Sequence, residues 1–145
     1  MRTMMAIGLA VMLGLVAGAG RAADDDDHVG PHNGPVAEWG DEEYHLEVVP
    51  DTKTGDVTIY VYGNHTELHK KKMRAIDSKS LTLALKTTDP ATIVKLEPKP
   101  SKDDPKGRST VFVGKHDAFK TDKKISGTVS GKVGTKPYSG DFKQK

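Results

Sequence analysis

The chain contains no cysteine. That excludes disulfides, a lipid-modified cysteine at a cleavage site and a thiol nucleophile. Aromatic residues are scarce, 6% of the sequence with a single Trp, which leaves no stacking platform for nucleic acid. Ser139-Gly140 lacks the preceding Gly-x of a nucleophile elbow. Gly127, Gly131 and Gly134 are wrongly spaced for a nucleotide-binding fingerprint, and no helix follows them. There is no repeat of solenoid length. These absences together read as a protein that is not an enzyme. The most informative absence is local: no Lys or Arg occurs from Ala23 to Pro50.

The first residues have the layout of a secretory signal peptide. Met1-Arg2 gives a positive start, Met4 to Val16 is apolar, and Ala17-Gly18-Ala19 or Gly20-Arg21-Ala22 offers a small-residue cleavage site. The apolar run is shorter than the ~20 residues of a membrane span, and no later stretch is apolar enough to insert. The expected mature protein is periplasmic or secreted, with no membrane insertion after cleavage. Taking residues 1–22 as signal, the 145-residue chain leaves 123 residues. We read 23–34 as an acidic, His-containing segment and 35–145 as a single β-domain. Loss of Arg2 and Arg21 leaves 20 basic and 20 acidic residues, a balance that gives no reason to expect nucleic acid as a partner.

The charges are segregated nonetheless. Residues 23–50 carry nine acids (Asp24 to Asp27, Glu38, Asp41, Glu42, Glu43 and Glu47) with His28, His32 and His45. Carboxylates and imidazoles gathered without a cation suit a divalent metal; imidazole directs the choice toward copper, zinc or nickel. His28 and His32 flank Gly30-Pro31, a flexible-then-rigid step able to bring both rings to one ion. The other reading of such a stretch is a solvated acidic tail, or a strip attracted to the basic remainder. His116, beside Asp117 after a strand, is a further candidate ligand or a surface-turn residue. His65 and His69 would share a face if helical, but Lys70-Lys71-Lys72 follow directly and would repel a cation. The stretch Glu67 to Ala75 lacks an apolar face and reads as loop.

Alternation of period two dominates the rest. Strands are predicted over Pro35–Trp39, Tyr44–Val49, Asp56–Tyr62, Leu81–Leu85, Thr92–Leu96, Ser109–Val113, Lys124–Val133 and Pro137–Phe142. Turn signals separate them every ten or so residues, and Pro98 to Gly107 reads as loop. The expected fold is all-β: an antiparallel β-sandwich or partly open barrel of seven to eight short strands after the signal peptide.

The run Gly30-Pro31-His32-Asn33-Gly34, with Glu38-Trp39-Gly40 and Tyr44-His45-Leu46-Glu47, resembles the opening of small exported bacterial proteins of planctomycete type. Phe112 to Asp117, Gly127 to Gly131 and Pro137 to Phe142 resemble the same group. A similar opening occurs in domains accompanying heavy-metal efflux adaptors. The resemblance implies export, a β-domain and a metal association carried by His32, the Glu38 region and His45; Asn33 stands where the pattern has Gly.

The expectation is an exported β-domain that binds a divalent or copper ion, copper or zinc, in metal homeostasis. The favoured ligands are His32 and His45, helped by His28, Glu43 and His116. Ion affinity should fall as pH falls through the imidazole range. The alternative is a non-catalytic envelope-structural or interaction module whose partner is a protein or an anionic polymer.

Overall fold

The computed structural model describes residues 29–145. The leader, Asp24 to Asp27 and His28 lie outside the described residues. Eight antiparallel strands form one nearly closed, barrel-like sheet, as the alternation predicted. They are β1 (Val36–Trp39), β2 (Tyr44–Pro50), β3 (Asp56–Tyr62), β4 (Leu81–Leu85), β5 (Thr92–Pro98), β6 (Val111–Lys115), β7 (Ser126–Val133) and β8 (Lys136–Lys143). Their order around the sheet is β1-β2-β3-β6-β5-β4-β7-β8.

The period-two pattern fixes which side chains fill the interior. Leu46 and Val48 of β2, with Val57, Ile59 and Val61 of β3, point inward and are fully buried. Leu81, Leu83, Leu85, Leu96, Phe112 and Val129 meet them from the other strands. β8 returns beside β1, and Gly140 permits this because a Cβ there would collide with the Glu38 carbonyl oxygen. Trp39 stitches the seam: its indole Nε1–H donates to the Val129 carbonyl at 2.9 Å. Tyr138 of β8 stacks on the Trp39 ring at 5.5 Å.

Three local features differ from the sequence reading. First, residues expected as loop contain a single-turn helix, α1 (His65–His69). Asn64 starts it by accepting the Glu67 amide hydrogen, and Leu68 anchors it by burial. A one-turn helix needs only that one apolar contact, so no apolar face is visible in the pattern. Second, β5 runs on through Pro98, which pairs with Phe112; at a strand end its missing N–H does no harm. Third, the outward face of β2 is not solvated. His45 and Glu47 alternate with the core residues, yet both are fully buried. Two small elements cover them: the segment 29–34 and α1.

Candidate functional site

The segment before β1 folds back onto β2. Gly30 N–H donates to the Gly34 carbonyl and Asn33 N–H to that of Gly30. Asn33, at φ 63°, makes the left-handed step that Gly usually supplies. His32 is thereby laid over β2, where its Nδ1 stands 2.8 Å from Glu47 Oε2. Its ring lies flat on Tyr60, with centroids 4.0 Å apart. The Glu47 carboxylate also accepts the His32 amide hydrogen at 2.6 Å, the Gly34 amide hydrogen at 3.0 Å and the Tyr62 hydroxyl at 3.3 Å. A fully buried carboxylate is tolerable only with such a set of donors. Burial, and then the Glu47 charge, push the Tyr62 hydroxyl well above the usual phenol range. It therefore stays protonated and donates. Gly30 is required here because a Cβ would overlap the Glu47 side chain.

His45 occupies the next outward position of β2, two residues before Glu47. Its Nδ1 is 2.8 Å from the Gly63 carbonyl oxygen. That oxygen can only accept, so Nδ1 carries the hydrogen. Nε2 faces Glu38 Oε1 at 3.8 Å, from the paired position on β1. A His whose Nδ1 is pinned by a backbone carbonyl has the orientation and tautomer that metal-binding histidines use.

α1 brings two more imidazoles to this end of β2. His65 and His69, one turn apart, place their Nε2 atoms 2.8 Å from each other. The His45 and His65 centroids are 6.1 Å apart, and those of His65 and His69 are 4.3 Å apart. Two imidazoles sharing a tetrahedral ion at ~2.0–2.1 Å have centroids about 5 Å apart. Among the described residues, no group of three or more His, Asp or Glu side chains stands ready-made to hold a metal ion. What the fold assembles is a pinned His45, the Glu38 carboxylate beside it, and a His pair on a short helix above.

The remaining expected ligands lie elsewhere. Glu43 accepts the Tyr138 hydroxyl at 2.6 Å and pairs with Lys136 at 2.9 Å. The Tyr138 hydrogen bond and then Lys136 hold its carboxyl below the usual carboxylate range. His116 caps a 3-10 turn, Asp117–Phe119, through Nδ1 accepting the Ala118 amide hydrogen at 3.0 Å. His45 pairs with Tyr62 at one end of β3, whereas Lys115 pairs with Asp56 at the other. That places His116 roughly 20 Å from His45 along the strand, at about 3.3 Å per residue. His32 is delivered to β2 by the fold-back of the Gly30–Gly34 segment, but onto Glu47 and Tyr60.

Sequence reasoning missed the Glu47–Tyr62 network and set His65 and His69 aside. The overlooked signal was Asn64-His65-Thr66-Glu67, a helix-start pattern that puts two His at i and i+4. Among described protein families, curated proteins and solved structures, none matches this chain.

Proposed function

We propose that this chain is an exported β-domain that binds a borderline divalent or copper ion, copper(II) or zinc, at the β1–β2–α1 end of its barrel. The observation that carries the reading is pairwise nearness: His45 lies 3.8 Å from Glu38 and its ring centroid 6.1 Å from that of His65, which in turn lies against His69. The His45 ring is pinned through Nδ1, with Nε2 on the side of Glu38. The other two already face each other. A three-imidazole, one-carboxylate donor set suits copper or zinc better than calcium or magnesium. In this reading His45, His65 and His69, with Glu38, would hold the ion. His32 belongs instead to the fold-back segment, which shields Glu47. The leader, and the resemblance in which His32, the Glu38 region and His45 carry a metal association, support export and the same ion class.

Calorimetric titration with copper(II) and zinc at neutral pH tests the proposal. We expect saturable one-site binding, weakened at least tenfold in a His65→Ala, His69→Ala double variant, since even an outer-shell partner is worth ~10–100-fold. His32→Ala should leave the affinity unchanged. Absence of heat for both ions, or equal affinity in the double variant, would overturn it. Thermal melts that ignore chelators would then favour the interaction module.

A further inference from the structure

The hairpin that covers Glu47 carries a reactive dipeptide. Its loop is Pro31-His32-Asn33, closed by the Asn33 N–H to the Gly30 carbonyl and the Gly30 N–H to the Gly34 carbonyl, both at 2.9 Å. That is a turn followed by one left-handed residue. Asn33 takes the left-handed place at φ 63° and is exposed. Gly34 answers a separate demand: it is buried, and a Cβ there would collide with the Val48 carbonyl oxygen. The two demands together write the one Asn-Gly pair of the chain. In that pair the backbone nitrogen attacks the preceding side-chain amide most readily, because glycine puts no side chain in the way. Glycine at position 33 would make the same turn without that reactivity.

We infer that Asn33 is a modification site: it converts without an enzyme to aspartate and isoaspartate when the hairpin opens, and the hairpin then cannot close again. The Gly34 nitrogen bonds to Asn33 Cγ, the Cγ–Nδ2 bond breaks, and ammonia leaves with the Gly34 proton. Water then opens the cyclic imide at either carbonyl. One opening gives aspartate; the other routes the chain through the side-chain carbonyl and gives isoaspartate. No electron changes hands. Closed, the hairpin blocks the first step in three ways. In the left-handed conformation the Gly34 nitrogen points away from the Asn33 side chain, whereas ring closure needs both on one side. The Gly34 N–H is held on Glu47 Oε1 at 3.0 Å, and losing its proton there would set an amide anion beside a buried carboxylate. The contact with Val48 leaves the Gly34 peptide no room to turn. After conversion the hairpin no longer fits. Isoaspartate inserts a carbon between the Cα of residue 33 and the Gly34 nitrogen and moves that amide off Glu47. Either product also adds a negative charge beside His32, the residue that covers the Glu47 carboxylate. The cover over Glu47 and Tyr62 is thus released one way only.

The test follows the amide-to-acid mass gain of the peptide holding Asn33 in the full mature chain, aged in warm, mildly alkaline buffer, with Asn64 as internal reference. The rate should track the open fraction of the hairpin. We expect the folded chain to convert at least about tenfold more slowly than the chain in urea. His32→Ala, which loses one charged hydrogen bond, should convert about tenfold faster than the native chain while still folded. Equal rates with and without urea, or in the variant and the native chain, would overturn the protection. If His32→Ala fails to fold, the comparison of folded chain with urea decides alone. The isoaspartate form, made by ageing in urea and then refolded, should exchange its His32 and Gly34 amide hydrogens faster than the native chain, with β3 unchanged. Native-like protection of those two amides would overturn the one-way release.

Discussion

At the scale of single residues, Glu47 shows how an outward strand position becomes indispensable. It sits where alternation calls for a solvated side chain, yet it is fully buried under His32 and beside Tyr62. Glu47→Ala would leave two amide hydrogens and a phenol hydroxyl without their acceptor. We expect a loss of about 3–5 kcal/mol in urea unfolding, the usual cost of breaking a buried charged pair from one side. Glu47→Gln keeps an acceptor and should cost less than half of that. Equal losses would show that the negative charge, rather than the hydrogen bonds, holds the segment. Lys71, left-handed at φ 56° where α1 ends, makes the opposite case. Lys71→Gly should stabilise the fold by about 0.5–1 kcal/mol in the same measurement, because a left-handed L-residue is replaced by one without a Cβ penalty.

At the scale of elements, α1 is held by three local devices rather than by its length. Five residues are too few for a helix to persist alone. The Asn64 cap, the buried Leu68 and the Glu67–Arg74 pair supply what length does not. Gly63 links this helix to the site. Its carbonyl accepts from His45, and a Cβ on it would overlap the Glu67 carboxylate. Gly63→Ala should therefore displace Glu67, lower α1 protection in amide hydrogen exchange and weaken ion binding, while β4 and β7 keep their protection. Uniform loss of protection would mean that Gly63 serves the barrel as a whole. The strands were legible in the sequence because each repeats one rule over four or more residues. α1 was not, because a single apolar contact has no period.

At the scale of the whole molecule, the barrel closes where β8 meets β1, and acids tie β8 down on both of its sides. Glu43, in the β1–β2 turn, reaches Tyr138 and Lys136 of β8. Asp141 of β8 accepts from Thr128 and from Lys86. The Thr128 hydroxyl, then Lys86, hold the Asp141 carboxyl below its ordinary value. Glu43 is lowered likewise. Both groups bind protons less readily folded than unfolded. Their contribution is thus present above the ordinary values of 4.5 and 3.8 and disappears as pH falls through the lowered folded ones. On acidification through that window, β8 amides should lose protection before those of β3. Glu43→Gln should flatten the acid limb of stability without changing the order of the core strands. Simultaneous loss in β3 and β8 would place the acid-sensitive groups elsewhere.

What the sequence alone determined is the β-architecture, since alternating side chains can bury one face only as strands, and short turns force antiparallel neighbours. It also determined the richness of the chain's opening in carboxylate and imidazole. Only the tertiary structure decided which of these groups meet. His32 is bound to Glu47 because the segment at Gly30–Gly34 folds back, and His116 is removed to the far end because β6 runs antiparallel to β3. His45 joins His65 and His69 because the chain between β3 and β4 turns back over β2. Register and cover are properties of paired strands, and no local pattern carries them.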